Sequence, residues 1–257
     1  MYFSNKSGAV RPVLRRRFAA LVLLTTVGLT ACSQDSEVPG GGKVDEPQPT
    51  ENITPHSEAP SPDPTTAPPA GALTEAQLPT GAELAWQQPG DWTAGDTHAG
   101  SGGEQLSMCQ VNKFESTGAT AIQVRTFTRP EGKAVAAAMS FDSPELAEQA
   151  RATLAGWVDS CPEMLTARGM QNIKPTFTHH TVPVDGGTAE ASELGWSDGG
   201  AGTFESIGIT SAGDRVEWLT MTVTGEDSNW DTEPGGPVGT VHPIIRSLPA
   251  VTKKLAG

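Results

Sequence analysis

The sequence predicts an α+β domain: an antiparallel sheet with helices packed on one face, a single domain that follows a disordered tether. Three observations carry this expectation. Short runs of apolar alternation are separated by polar turns, best seen at 203–210 and 215–224, which are joined by Ser211, Ala212, Gly213 and Asp214. One amphipathic helix, 143–161, falls between groups of strands instead of alternating with every one of them. Upstream of residue 72 the chain is rich in Pro, Gly, Ser, Thr and acid and holds almost nothing apolar to bury.

The chain begins with an export signal. Arg11, Arg15, Arg16 and Arg17 precede an apolar run at 18–30, which is short for a membrane span. The run ends in Leu29, Thr30, Ala31 and Cys32, which resembles a bacterial lipobox. That resemblance implies a signal peptide over 1–31, cleavage before Cys32, and a lipid on the Cys32 sulfur that anchors the chain at the extracytoplasmic face of the cell membrane. Residues 32–71 then read as the lipidated cysteine and a disordered linker, because such a composition cannot offset its ordering entropy. Residues 1–31 hold five cations and no acid, so their removal takes the net charge from −13 to −18. A surface that acidic argues against nucleic acid and against electrostatic docking on anionic lipid.

The folded domain is expected over 72–257. Leu73 to Pro79 reads as a single helical turn, capped by Thr74 and halted by Pro79. Residues 97–104 read as a loop, and 106–111, around Cys109, as a short strand or turn. Strands are expected at 119–128 and 134–141, on either side of the turn Pro130, Glu131, Gly132 and Lys133. The helix follows. Ser143 supplies an N-cap and Pro144 suits the first helical position. Leu146, Ala150, Leu154, Trp157, Val158 and Cys161 share one face, and Pro162 is the expected stop. Further strands are expected at 172–184, 189–196, 203–210 and 215–224. The tail, 238–255, reads as a helix kinked or restarted at Pro249.

Export settles the reading of the thiols. Once Cys32 is lipidated, Cys109 and Cys161 are the two cysteines left, and a disulfide between them is the expectation. Two free buried thiols are the alternative. Other candidate chemistry is sparse. His179 and His180, on a strand, point to opposite faces and cannot chelate one metal together. His98 and His242 have no partner visible in sequence. Asp227, Asn229 and Asp231 are spaced like calcium ligands, but Thr232 stands where glycine is needed and Val238 where glutamate is. The common serine-nucleophile and phosphate-loop patterns are absent, so no enzyme activity, metal or cofactor is expected. Six tryptophans remain in a chain whose single tyrosine lies in the signal. Trp157 belongs to the helix face; Trp196 and Trp218 are the first candidates to line a ligand cleft, the others being candidates for core and edge packing.

The order of these features resembles a known family. A lipobox, a Pro-rich tether, the opening L-T-x-A-x-L-P at 73–79, a lone cysteine, and a helix running from Phe141 through Trp157 to Cys161 are similar to the actinobacterial extracellular sensor domain of PknH-type kinases, in its stand-alone lipoprotein form. The resemblance implies an antiparallel sheet flanked by helices, with a cleft for an unidentified ligand and no catalytic residues. The kinase version carries two disulfides, whereas this chain has cysteines for one. The function expected is therefore a cell-envelope sensor or ligand-binding lipoprotein that takes a small apolar or glycan-type ligand. A non-catalytic docking partner of another envelope protein is the alternative.

Overall fold

The computed structural model describes residues 72–86, 91–103, 105–225, 230–233 and 240–257. The signal, Cys32 and the linker lie outside these residues, as do Asp227 and Asn229 of the acidic loop.

Seven strands form one sheet: β1 (Thr93–Ala99), β2 (Ala121–Arg129), β3 (Gly132–Ser140), β4 (Gln171–Thr181), β5 (Thr188–Ser197), β6 (Thr203–Ala212) and β7 (Arg215–Thr224). Their order is β1-β2-β3-β7-β6-β5-β4, with every neighbouring pair antiparallel. The chain thus makes two meanders and joins them at β3 and β7, where Ala136 pairs with Leu219. Helix α1 (Pro144–Ala167) connects the meanders, and α2 (Pro243–Ala256) follows β7. The expected class, α+β with helices packed on an antiparallel sheet, is the one observed.

The two helices do not share a face; each covers one. On β3, Ala134, Ala136 and Ala138 pack with Ile244, Leu248, Val251 and Leu255 of α2. The alternate residues Val135, Ala137 and Met139 pack with Leu154, Trp157 and Val158 of α1. Successive side chains on a strand point to opposite sides, so a strand apolar on both sides needs a cover on both. The unbroken apolar run at 134–139, where strict alternation is lost, is the sequence sign of that arrangement.

Helix α1 starts as expected: the Ser143 hydroxyl accepts from the Leu146 N–H at 3.3 Å. It does not stop at Pro162. Proline removes one helical hydrogen bond, but continuing to Ala167 buries Leu165 completely, and Arg168 closes the helix with its N–H on the last carbonyls. The buried stripe is Ala147, Ala150, Leu154, Trp157, Val158, Cys161 and Leu165. Leu146, expected on it, is 42% exposed. Helix α2 likewise runs through Pro249, held by the wholly buried Leu248, Val251 and Leu255 on either side. Thr74 caps the short helical turn Glu75–Gln77 through a complete capping box. Strand β1, which sequence assigned in part to a loop, is almost wholly exposed, so it carries no apolar alternation to read.

Cys109 and Cys161 form the expected disulfide, tying the 106–111 turn to α1. The same turn is fastened to β6 by Glu205, whose carboxylate accepts from the Ser107 hydroxyl at 2.6 Å and the Met108 N–H at 3.1 Å. Burial raises the Glu205 pKa, and these donors only partly oppose it.

Both edges of the sheet are broken. β1 slips register between Ala94 and Thr97, and β4 slips three times along its pairing with β5. Pro175 sits in β4, and Asn172 and His179 adopt left-handed backbone at φ 53° and 49°.

Candidate functional site

The residues past the N-terminal end of α2 form the most elaborate part of the structure. On the α2 side of the sheet β5 presents Glu193 and then Gly195, and β6 presents Ser206 and then Phe204. Two sub-sites result, one closed and one open.

The closed one is a buried polar cluster. His242 is the N-cap of α2: its Nδ1 accepts from the Ile244 N–H at 3.3 Å. An accepting Nδ1 places the ring proton on Nε2, which donates to the Glu193 carboxylate at 2.6 Å. The Ser206 hydroxyl donates to the same carboxylate oxygen at 2.9 Å, and Thr176 adds a further hydrogen bond. Burial pushes the Glu193 pKa up, but His242, Ser206 and Thr176 together outweigh it and hold the carboxyl below its ordinary value. Phe177 covers the cluster with its ring 5.1 Å from His242, and Trp230 lies 6.5 Å from the imidazole on another side. Both imidazole nitrogens are therefore engaged, and the group acts as a polar staple between α2 and β5. Sequence gave His242 no partner because Glu193 lies 49 residues away.

The open one is a cleft of about 340 Å³ between β4, β5 and β6 and the turn that joins β5 to β6. Asn172, Lys174 and Thr176 of β4 form one wall; Gly195, Trp196 and Ser197 of β5 and Phe204 of β6 form the other, with Gly200 and Gly202 at the turn. Glycine makes the room. A Cβ on Gly195 would lie 2.8 Å from the Phe204 ring, so only glycine lets that ring lie over the strand. Asn172 donates to the Ser197 hydroxyl at 3.0 Å and closes the far end.

Of the sequence candidates, Trp196 borders this cleft at the end of β5, but it is a buried member of the α1-side core, with 6% of its surface exposed. Trp218 does not. It is wholly buried on the α1 side of β7, with ring centroids 6.1 Å from both Trp157 and Phe114. It pairs with Ile209 in the middle of β6, away from the 195–204 end of β5 and β6 that lines the cleft. Trp86 and Trp92 are buried edge to face at 5.8 Å, with the Arg129 guanidinium 4.2 Å from the Trp86 ring centroid. Phe204, Lys174 and the glycines were not singled out in sequence. The signal that could have found them is the glycine-rich turn flanked by aromatic residues at 196 and 204.

His179 and His180 point to opposite faces, as expected from strand geometry. His180 faces the Phe177 ring at 6.3 Å, whereas His179 reaches α1. Its Nε2 lies 2.8 Å from Asp159 and its Nδ1 3.5 Å from Glu190, so two carboxylates clasp one imidazole and pin β4 to α1 and β5. Burial lowers the His179 pKa, but the Asp159 hydrogen bond and the Glu190 charge outweigh it, and the net direction is upward. The stabilisation is then fully present below the unfolded value near 6.5 and is lost as pH rises through the higher folded value. Asp159→Asn is expected to cost up to about 1 kcal/mol at pH 5.5, limited by the exposure of Asp159, and almost nothing at pH 9. Equal losses in denaturant titrations at the two pH values would contradict this.

Among the described residues no group of three or more His, Cys, Asp or Glu is placed to hold a metal, and no helix is long and apolar enough to cross a membrane. The fold and cleft define a class: an α+β domain with a two-faced antiparallel sheet and a small surface cleft beyond the start of its last helix. The chain is similar in structure to the extracellular domain of PknH from Mycobacterium tuberculosis, with a TM-score of 0.41 and 13% sequence identity over 65% of this chain and 83% of that one. No family model matches the chain, and no curated protein matches it as a relative.

Proposed function

We propose that the chain is an extracytoplasmic lipoprotein, anchored through Cys32, whose folded domain binds a small ligand in the β4–β6 cleft as a sensor or accessory binding module. The observation that carries this reading is the cleft itself. It is a concave site with an aromatic wall, a few polar groups and glycines that keep it open, the usual make-up of a small-molecule site. The basic and apolar leader ending at Cys32 supports the anchor. The role is binding without catalysis. The imidazole nearest the cleft has both nitrogens engaged, and its carboxylate partner is held by three side chains.

Native mass spectrometry of the protein purified from its host envelope tests the reading. The wild type is expected to carry a bound small molecule, and Gly195→Val to lose it while keeping its secondary structure, because the new side chain collides with the Phe204 ring. A wild-type protein of bare mass overturns ligand binding in favour of docking on another envelope protein. Recovery of Cys32→Ser in the membrane fraction at wild-type levels would remove the lipid anchor.

A further inference from the structure

We propose that the cleft selects a small anionic sugar, an acid saccharide of one or two rings that carries a carboxylate; this rests on the reading that the cleft binds a ligand. Charge is the first reason. Among the described residues the lining holds one cation, Lys174, and no carboxylate, in a chain of net charge −13. The acids that lie nearby in sequence are committed elsewhere. Glu193 is turned to His242 and Ser206, and Asp198 accepts from the Gly200 N–H at 3.2 Å. Lys174 has no ion-pair or hydrogen-bond partner among the described residues, so its ammonium is available at the mouth.

The neutral groups fit the rest of such a ligand. Ser197 brings a hydroxyl, Thr176, whose proton goes to Glu193, keeps only its oxygen to accept, and Asn172, whose amide nitrogen is spent on Ser197, keeps its amide oxygen free to accept. Alternating hydroxyl donors and acceptors match a sugar's own hydroxyls better than they match a hydrocarbon chain, which would leave these groups unpaired. The Phe204 ring over Gly195 offers a flat apolar surface against which the C–H face of a pyranose can lie. A volume of about 340 Å³ is at the small end of ligand sites, which suits one or two rings and not a long acyl chain.

Saturation-transfer NMR on the full-length protein in detergent tests this with three probes: glucuronate, glucose and the apolar, neutral 2-phenylethanol. Glucuronate is expected to bind the wild type at least tenfold more tightly than glucose, the scale of one charge-assisted hydrogen bond. Lys174→Gln is expected to bring glucuronate down to the level of glucose, and Phe204→Ala to weaken both. Equal binding of the two sugars, or a preference for glucuronate that survives Lys174→Gln, overturns the anionic-sugar assignment. If 2-phenylethanol alone binds and loses its signal in Phe204→Ala, the cleft is a ligand site of another class. If no probe shows transfer that depends on Phe204, the assignment and the ligand-binding reading fall together.

Discussion

Replacing Glu217 with methionine is expected to make the protein more stable at neutral pH. Glu217 lies on the α2 side of β7, paired across the sheet with Ala138 and Thr210, and it is completely buried. Neither carboxyl oxygen has a hydrogen-bond partner among the described residues. Burial pushes its pKa well above the ordinary range and the Glu83 charge adds to this, opposed by Lys254 and Arg125. The direction of the pH effect follows. The unfolded chain gives up this proton near the ordinary value of 4.5, whereas the folded chain keeps it to higher pH. Stability therefore falls as pH rises from about 4.5 towards the raised folded value, at up to about 1.4 kcal/mol per pH unit. Methionine fills similar space without an orphaned polar group, and Glu217→Met should gain about 1–3 kcal/mol at pH 7.5, the scale of an unsatisfied buried polar group. Urea titrations of both proteins at pH 5 and 7.5 would settle it. A variant weaker than wild type at pH 7.5, or one whose stability falls between the two pH values as steeply as before, refutes this account of Glu217.

The second large effect belongs to the disulfide. Cys109 and Cys161 are 52 residues apart, and the loop they close contains β2, β3 and most of α1. Closing a loop of that length is worth about 4 kcal/mol in the chain-entropy account. That is a large part of the roughly 5–15 kcal/mol that holds a typical domain folded. The double variant Cys109→Ala with Cys161→Ala should lose about that much, or about 8–16 °C in melting temperature for a domain of this size. The turn at Cys109 is also held by Glu205, so secondary structure should survive at low temperature. A loss below about 1 kcal/mol would show that Glu205 and α1 packing fix the turn without the bridge.

What sequence made legible is what short-range chemistry decides. The start of α1 rests on Ser143 and Pro144, the opening turn on Thr74 and Gln77, and the β6–β7 hairpin on Gly213 and Asp214. Each signal lies within a few residues of its effect. The end of α1 was misjudged because Pro162 is a local signal overruled by the burial of Leu165, which depends on a sheet that sequence does not display. The placing of the helices on opposite faces was readable in principle from 134–139, but only if loss of alternation is taken as a sign of two covers. The site was the least legible. Trp196 and Trp218 look alike in sequence, one in β5 and one in β7; both belong to the α1-side cluster, and only position along the sheet separates the residue that borders the cleft from the one in mid-core. The His242–Glu193 pair joins elements that only the folded sheet brings together.

The position of α2 has a consequence for the order in which this chain can complete itself. Ile244, Ile245, Leu248, Val251 and Leu255 supply much of one cover of the sheet, and each is buried to within 2%. Until residue 255 has emerged, Ala134, Ala136, Ala138, Leu219 and Met221 have only the segment from Leu73 to Trp92 and Val182 to share that side with, even if both meanders are already paired. The domain is thus a late closer: residues made early wait on residues made more than a hundred positions later. Any ribosome stall or proteolytic trimming within α2 leaves part of an apolar sheet face bare, the kind of surface that chaperones hold and aggregates grow from.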